Sequence, residues 1–554
     1  MDQIRPAEKF WTSDPEGAVK LRFGEEAASR TPTSIPTVFN RVVAEYPNTP
    51  ALCCKNGNNT WETLTFRQYK EKVQHFAKAL IKLGLKPRYS VSIIAHNCPQ
   101  YLIGALAIMH AGGILSGIYT TSSPEAILDV LNDSRSNIVI VGEDEQLEKV
   151  LAVRKKAKHL KSIVQIFPSK IANYKSKVEG YYTWNELELT ALTQYQTQLD
   201  ERLRNICVNE CCTIVFTSGT TGKSKGVMLS HDNITWTAYA TVQRLADVCP
   251  GKESYVSYLP LCHMAGQMFD IYLPLMIGMT VYFAEKDAIK GNLIQTLKCT
   301  KPNRIFVVPK ILEKMYEYAE QDKCTLGSTF FKESLGLSNM KSILCGAAPL
   351  SLKVKRYFLN KNITILEAYG LTETCGPHSL SSLKRFNEKS VGIPLDGCEV
   401  KLGAIDVNKE GHEELLVRGR NIFMGYIGME DANKKSFYGE GWLHTGDVGY
   451  IDDEGFIYVT DRIKELIITS GGSKVAPSHI EHQIKAELPI ISNICLVGDK
   501  QRYVSALVTL KTEVNSETGE PLDGLKPEVR AWLKNLGLEY TKLSEVIAAG
   551  PDPI

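Results

Sequence analysis

The chain has 554 residues, 44% of them hydrophobic and 23% charged, and its 64 basic and 62 acidic residues leave a net charge of +2. This length exceeds the size that one hydrophobic core supports, so we expect at least two packing units of ordinary globular composition. The nearly balanced charge excludes a long-range field that would steer the protein to nucleic acid or to an acidic membrane.

The N-terminal segment MDQIRPAEKFWTSDPEG lacks the apolar region of a secretory signal, and no apolar run is long enough to span a bilayer. The 14 cysteines are scattered without a CxxC pair, which favours free thiols in a reducing compartment. We therefore expect a cytoplasmic protein, and peripheral contact with intracellular membranes stays open. The most apolar stretch, residues 268–283, contains Asp270 and is interpreted as a buried core segment, with lipid contact as the alternative.

Short runs rich in Val and Ile alternate with helical patterns, which predicts the α/β class with mostly parallel sheets. Gly and Pro follow these strands, and ligands bind open α/β sheets at the carboxyl ends of strands. The polar stretch 144–177 is interpreted as a solvated helical surface. The predicted strands lie within residues 90–97, 136–142, 212–219, 304–309 and 341–349.

The pattern changes after Asp461 and Arg462, where two apolar runs flank the charged turn DKQR. This pattern is typical of a short β-rich unit with one or two helices. We place a domain boundary here, which gives a large domain over residues 1–462 and a small domain over residues 463–554.

The strongest local signal is TSGTTGKSKG, residues 217–226, directly after a predicted strand. Its glycines permit close backbone approach to an anion, and its hydroxyls and lysines suit phosphates. A Walker A loop is excluded because Thr217 stands where that motif needs glycine. A surface turn with two chance lysines is the alternative. The phosphate-binding candidates are Thr217, Ser218, Gly219, Thr220, Thr221, Gly222, Lys223, Lys225 and Gly226.

This segment resembles the phosphate-binding signature of the adenylate-forming superfamily of acyl-CoA synthetases, luciferases and peptide-synthetase adenylation domains. YGLTET (residues 369–374), GWLHTGDVG (441–449) and DRIKE (461–465) follow in that family's order. The similarity is greatest to bubblegum-type long-chain acyl-CoA synthetases, through SYLPLCHMAGQMFDIY, RIFVVPKILEKMYE, NIFMGYIGMED and ELPIISNICLVGD, and it runs from about residue 35 to the C-terminus. It implies a large nucleotide- and acid-binding domain with mostly parallel sheets and a small, mobile α+β C-terminal domain.

The resemblance also implies roles for single residues. Tyr369 would stack on adenine, Thr372 would bind the α-phosphate, and Glu373 would give Mg²⁺ the hard oxygen that this ion prefers. Asp447 would accept hydrogen bonds from the ribose hydroxyls, and Arg462 would bind the same sugar or the phosphate.

Small residues of the segment CGAAP would form the loop beside adenine, namely Gly346, Ala347 and Ala348. Cys345 stands where glycine is commoner in the family. Taken alone, each of these matches is also compatible with an ordinary turn or a surface side chain.

His263 falls where the family places a histidine or an aromatic residue beside the acid, although a lone histidine next to an apolar run is often a core residue. Gly266, Met268 and Gly278 would then lie in the region of an acyl pocket. Lys464 would be the hinge about which the small domain turns.

Ser470, Gly471 and Gly472 would lie on the face of the small domain where the thioester forms. SKVAP, residues 473–477, departs from the family pattern, which weakens the expectation of coenzyme A contacts there. The chain also ends in GLEYTKLSEVIAAGPDPI without the family's Gly-Lys or Lys-Leu-Lys segment, so it resembles a member shortened at its C-terminus.

The expected reaction has two steps: a fatty acid and Mg·ATP give acyl-adenylate and pyrophosphate, and coenzyme A then displaces AMP. The expected cofactors are ATP, Mg²⁺ and coenzyme A, and no protein partner can be inferred. The alternatives are a nucleotide- and lipid-binding pseudoenzyme with impaired adenylation, a non-lipid acid–thiol ligase and a luciferase-like oxidative enzyme.

Overall fold

The computed structural model describes residues 2–548 except 170–173, 175–177, 218–223, 246, 287, 289–291, 322–327, 404–412, 471–473, 476, 489 and 515–520. The chain forms two compact units. The first comprises Met1–Leu350, Arg356–Lys401 and Leu416–Thr445, and the second comprises Ser351–Lys355, Leu402–Leu415 and Gly446–Ile554. The main segment of the second unit begins at Gly446, and the domain boundary placed after residue 462 stays a prediction.

The strands of the described residues are given in chain order. They are β1 (Pro50–Lys55), β2 (Trp61–Thr65), β3 (Ser90–Ile94), β4 (Ile114–Gly117), β5 (Ser136–Val141), β6 (Ser162–Gln165), β7 (Tyr181–Thr183), β8 (Cys211–Thr217), β9 (Lys225–Ser230), β10 (Ser254–Ser257), β11 (Thr280–Phe283), β12 (Arg304–Val307), β13 (Ser342–Gly346), β14 (Ile365–Leu371), β15 (Gly376–Leu380), β16 (Ile393–Pro394), β17 (Glu399–Gly403), β18 (Glu413–Arg418), β19 (Gly425–Tyr426), β20 (Phe437–Tyr438), β21 (Trp442–Ile451), β22 (Ile457–Arg462), β23 (Ile467–Ile468), β24 (Lys474–Val475), β25 (Ile491–Val497), β26 (Ser505–Leu510), β27 (Thr512–Val514) and β28 (Pro521–Leu525).

The α-helices follow in the same order, and one π-helix (Gln267–Tyr272) continues directly from α9. They are α1 (Ile35–Glu45), α2 (Phe66–Lys82), α3 (Pro99–His110), α4 (Pro124–Asp133), α5 (Asp144–Val153), α6 (Trp184–Leu189), α7 (Gln196–Arg204), α8 (His231–Leu245), α9 (Met264–Gly266), α10 (Leu273–Ile277), α11 (Leu293–Thr300), α12 (Pro309–Gln321), α13 (Ser328–Ser334), α14 (Leu352–Asn360), α15 (Glu430–Ser436), α16 (Pro477–Glu487), α17 (Pro527–Asn535) and α18 (Leu543–Ala548).

Two large sheets build the first unit. The eight-stranded sheet has the order β19-β9-β8-β4-β3-β5-β6-β7, and the nine-stranded sheet has the order β16-β15-β14-β13-β12-β10-β11-β1-β2. In the spatial order of the eight-stranded sheet, all neighbouring strands from β8 across to β7 are parallel. In the nine-stranded sheet, the same is true of the neighbouring strands from β14 across to β1. The remaining strands, at the edges of the two sheets, pair antiparallel. This confirms the predicted α/β class with mostly parallel sheets.

Local sequence explains where several of these elements begin. The Ser34 and Ser123 side chains cap α1 and α4, each with a proline in the first turn, and Thr65 with Gln68 forms a capping box on α2. All six residues of β5 are buried, as expected for a central parallel strand covered on both faces. The expected solvated surface over 144–177 was wrong in part, because β6 is wholly buried within it.

The apolar stretch 268–283 is buried, as the core interpretation predicted, and it contributes the π-helix, α10 and β11. Among the described residues, no helix combines the length and apolarity needed to cross a membrane.

The second unit has its own small core. Strands β25 and β26 form an antiparallel hairpin, with Lys500 of the charged turn in a left-handed conformation at φ 59°. The buried core of this unit contains Ile490, Ile491 and Leu525, which cluster with Val529 and Leu533 of α17. Hairpins and helices in one small unit confirm the expected α+β character.

Candidate active site

The phosphate-loop candidate connects two paired strands. Thr217 ends β8 and lies opposite Lys225, the first residue of β9, in the antiparallel register. Six of the candidates, Ser218, Gly219, Thr220, Thr221, Gly222 and Lys223, lie outside the described residues. The described part therefore fixes only the two ends of the loop.

Gly226 has a role that the sequence analysis did not predict. It lies within β9, and a Cβ atom there would come within 2.6 Å of Ile427 Cγ2. Ile427 donates a backbone hydrogen bond to the Gly226 carbonyl at 2.9 Å. The absence of a side chain at Gly226 therefore makes room for Ile427, and close approach of this glycine to an anion stays a prediction.

Glu373 lies in a single 3-10 turn, Thr372–Thr374, directly after β14. Its Oε1 accepts a hydrogen bond from the hydroxyl of Tyr426 at 2.7 Å, and its backbone carbonyl accepts one from Phe423 at 2.9 Å. Burial and the nearby Glu373 carboxylate raise the pKa of Tyr426, so this hydroxyl keeps its proton and donates.

Lys225 reaches the same tyrosine from the strand that follows the phosphate loop. Its Nζ lies 4.9 Å from the centroid of the Tyr426 ring, within the range of a cation–π contact. Tyr426 thus contacts Glu373 and Lys225, which two separate sequence motifs supply. Tyr426 is not among the residues predicted from the sequence, and the signal for it was its place in NIFMGYIGMED, one of the segments that carry the resemblance.

The adenine-side candidates lie at the ends of two adjacent parallel strands. Gly346 ends β13 opposite Ala368 of β14, and Tyr369 follows Ala368. A Cβ atom on Gly346 would lie 2.6 Å from the Ala368 carbonyl oxygen, so this close strand pairing requires glycine.

The loop after β13 is open to solvent. Ala347 adopts a left-handed backbone with φ 71°, and both Ala347 and Ala348 are exposed. Cys345 is fully buried in β13, so its departure from the family's usual glycine affects the core of the sheet. Tyr369 and Thr372 are both largely buried, each with 9% of its surface exposed.

His263 caps the short helix α9. Its Nδ1 accepts a hydrogen bond from the Ala265 amide at 3.2 Å, and burial lowers its pKa. The neutral ring with Nδ1 as acceptor carries its proton on Nε2. A Cβ atom on Gly266 would lie 2.4 Å from the Pro260 carbonyl oxygen, so the turn into the π-helix requires glycine.

The acyl-pocket candidates have different surroundings. Gly376, which follows the second motif, lies against Met268: a Cβ atom on this glycine would be 3.5 Å from Met268 Cγ. Gly278 instead ends α10 with a φ of 67° and packs on the ring of Tyr46, so its role is to cap a helix.

Asp270, within the π-helix, is fully buried, and burial raises its pKa to about 8. Nearby Ser257 and Tyr255 oppose that shift. Burial therefore favours the protonated form of this carboxyl group in the folded state.

The second unit holds the ribose-binding candidates. Asp447 on β21 and Arg462 on β22 are directly opposite in the antiparallel register, and Arg462 Nε lies 3.1 Å from Asp447 Oδ1. The Asp447 side chain is 4% exposed and that of Arg462 is 56% exposed. Gly446, with a φ of 72°, donates its amide hydrogen to Glu414 at 2.8 Å.

The hinge candidate Lys464 is exposed in a hydrogen-bonded turn that directly follows β22. The amides of Glu465 and Leu466 both donate to the Arg462 carbonyl, at 3.0 and 3.2 Å. Asp461, at the start of this motif, accepts hydrogen bonds from the amide and hydroxyl of Ser478 at 3.1 and 3.2 Å. Gly471 and Gly472 lie outside the described residues.

Family models match both parts of the chain. The AMP-binding enzyme model matches residues 39–427, and the AMP-binding enzyme C-terminal domain model matches residues 464–536. The fold resembles the anthranilate CoA ligase AuaEII in complex with anthranoyl-AMP, at a TM-score of 0.71 and 20% identity over 89% of this chain and 90% of that one. It also resembles the O-succinylbenzoate coenzyme A synthetase of Bacillus subtilis in complex with ATP and magnesium, at a TM-score of 0.66 and 23% identity over 87% and 90% of the two chains.

Fold and motif order together define an adenylate-forming enzyme, and the chain belongs to the AMP-binding enzyme family. Within it, the chain is similar over nearly its whole length to bubblegum-type long-chain-fatty-acid–CoA ligases. It is 39% identical to the ligase ACSBG2 of Xenopus laevis, covering 97% of this chain and 78% of the relative. It is 36% identical to the ligase heimdall of Drosophila melanogaster, covering 99% of this chain and 87% of the relative.

Proposed function

We propose that this chain is a long-chain-fatty-acid–CoA ligase, which activates a fatty acid with ATP and transfers the acyl group to coenzyme A. Similarity to ligases that carry this name supports the substrate class. The observation that carries the proposal is the arrangement around Glu373, whose carboxylate is held at 2.7 Å by Tyr426, the residue whose ring also contacts Lys225.

In the first half-reaction, a carboxylate oxygen of the fatty acid attacks the α-phosphorus of ATP. The bond between that phosphorus and the oxygen bridging to the β-phosphate breaks, and pyrophosphate leaves without any net proton transfer. Both reactants are anionic, so positioning and charge neutralisation dominate catalysis. We assign three roles in this step. Thr372 donates a hydrogen bond to the α-phosphate, and the Lys225 ammonium neutralises charge on the phosphates. His263 donates a hydrogen bond from Nε2 to the fatty acid.

Magnesium fits the donor set around Glu373. The ion prefers hard oxygen ligands and is commonly held by one or two carboxylates together with substrate phosphates. The Tyr426 hydroxyl donates a hydrogen bond to Oε1 of Glu373, so Oε2 is the candidate metal ligand. When bound there, Mg²⁺ would neutralise charge on the phosphates.

In the second half-reaction, the coenzyme A sulfur attacks the acyl carbonyl carbon. The bond from that carbon to the AMP oxygen breaks, and the thiol proton passes to solvent. The residues that we assign to this step are the hinge Lys464 and the segment at 470–472. A hydrogen-bonded turn at Arg462–Leu466, directly after a strand, supports a hinge here, because hinges form at element-terminal residues that can absorb a change in backbone angles.

Pyrophosphate release tests the proposal. The protein is incubated with Mg·ATP and one acid from a series running from acetate through benzoate to saturated fatty acids of graded length, with and without coenzyme A. We expect release with long fatty acids, and thioester only when coenzyme A is present. Release with benzoate alone would make the chain an aryl acid ligase, and no release with any acid would overturn the proposed function. Glu373→Gln is the matched control for contaminating activity.

A further inference from the structure

Tyr426 connects the two motifs to which the proposed function assigns the phosphates. Its hydroxyl donates to Glu373, which follows β14 of the nine-stranded sheet. Its ring lies beside Lys225, which begins β9 of the eight-stranded sheet. One side chain therefore fixes the position of a carboxylate relative to that of an ammonium group.

The backbone around Tyr426 is fixed on both sides. Asn433, itself fully buried, accepts a hydrogen bond from the Tyr426 amide at 2.7 Å and donates one to its carbonyl at 3.0 Å. Gly425 has a φ of 125°, and a Cβ atom there would lie 2.4 Å from the Thr12 carbonyl oxygen. The tyrosine therefore projects from a backbone that has little freedom to move.

The neighbouring residues attach this segment to both motifs. Phe423 donates its amide hydrogen to the Glu373 carbonyl at 2.9 Å, and Ile427 donates to the Gly226 carbonyl at 2.9 Å. The rings of Phe423 and Tyr426 also meet edge to face, with centroids 4.9 Å apart. Residues 423–427 thus bridge the turn that carries Glu373 and the strand that follows the phosphate loop.

We infer that Tyr426 is a positioning residue for adenylation, which holds the Glu373 carboxylate so that its second oxygen faces the metal and keeps Lys225 at a fixed distance from it. The inference rests on the proposed function, because it assigns Glu373 to Mg²⁺ and Lys225 to phosphate. Tyr426 itself touches neither the metal nor the substrate in this assignment.

Tyr426→Phe tests the hydroxyl alone, because phenylalanine keeps the ring beside Lys225. We expect the Mg²⁺ concentration for half-maximal pyrophosphate release to rise about tenfold, because one hydrogen bond to a charged group is lost. The KM for the fatty acid should stay unchanged. Tyr426→Leu removes the ring as well and should further raise the KM for ATP. Tyr181→Phe is the matched control. The buried Tyr181 hydroxyl donates to Gln165 at 2.6 Å, and this residue lies on β7, at the edge of the eight-stranded sheet that is opposite to β19.

A double-mutant cycle shows whether the tyrosine acts through Glu373. In a Glu373→Gln background, Tyr426→Phe should produce no further change in the Mg²⁺ dependence. A full additional effect would overturn the inference, and so would an unchanged Mg²⁺ dependence in the single variant. Unfolding of Tyr426→Phe at every assay temperature would also overturn it, because the hydroxyl would then be a folding element. Failure of the wild-type chain to release pyrophosphate would instead count against the proposed function.

Discussion

Arg462 Nε lies 3.1 Å from Asp447 Oδ1, across a directly opposed pair of residues on β21 and β22. The Asp447 side chain is 4% exposed and that of Arg462 is 56% exposed, so the carboxylate is buried and the guanidinium faces solvent. Such a pair is suited to ligand exchange, since the guanidinium can turn to a phosphate or a sugar while Asp447 remains an acceptor.

Asp447→Ala should weaken ATP binding about 10- to 100-fold, because hydrogen bonds to a charged group contribute roughly 1.5–3 kcal/mol each. Isothermal titration with ATP measures the dissociation constant directly. The matched control is Asp453→Ala, an exposed aspartate in the turn between the same two strands. An unchanged dissociation constant for the Asp447 variant would place the ribose site elsewhere.

Glu373→Gln should lower the rate of acyl-adenylate formation by about 10²–10³-fold, the range found when one preorganised electrostatic contact to a transition state is removed. Thr372→Ala should lower it less, since it removes a neutral donor. Both variants should melt close to the wild-type temperature, because neither side chain belongs to the apolar core. Single-turnover pyrophosphate release with a parallel thermal melt measures both effects. A wild-type rate in either variant would contradict that residue's assignment.

The sequence predicted features that depend on neighbours along the chain. Strands rich in Val and Ile were found at the expected positions, and Gly346 and Tyr369 lie at strand ends because adjacent parallel strands end at one edge of a sheet. Tyr426 was missed because its contact with Glu373 arises only when β19 adds to the edge of the eight-stranded sheet. β6 was missed because four buried residues in a polar context are too few for a period to be recognised.

Gly226→Ala should destabilise the first unit rather than selectively weaken phosphate binding. The new methyl group would lie 2.6 Å from Ile427 Cγ2 and 3.0 Å from Ile214 Cγ2, and overpacking of this kind typically costs about 1–3 kcal/mol. Adding Ile427→Ala should restore part of the lost melting temperature by removing the nearest clash. A selective loss of ATP affinity without loss of stability would support the anion-binding interpretation of this glycine.

Asp270→Asn should stabilise the protein at neutral and alkaline pH. Burial raises the pKa of this carboxyl to about 8 from its ordinary value of 3.8, so between these values the folded state retains a proton that the unfolded state has already released. Between these two values, the unfolding free energy of the wild type should fall by as much as about 1.4 kcal/mol for each unit of pH. Asparagine imitates the neutral acid and lacks this dependence.

The stability difference between Asp270→Asn and wild type should therefore be small near pH 4, grow as the pH rises towards 8 and level off above it. Denaturant unfolding over this pH range measures the difference, and Asp453→Asn serves as the exposed control, for which no such slope is expected. A constant difference across the range would show that the carboxyl is ionised in the folded state. Because Asp270 lies in the π-helix that continues from His263 and α9, pyrophosphate release by the folded variant at pH 8 adds a second measurement. An unchanged rate there would show that this carboxyl affects folding stability and not the adenylation step.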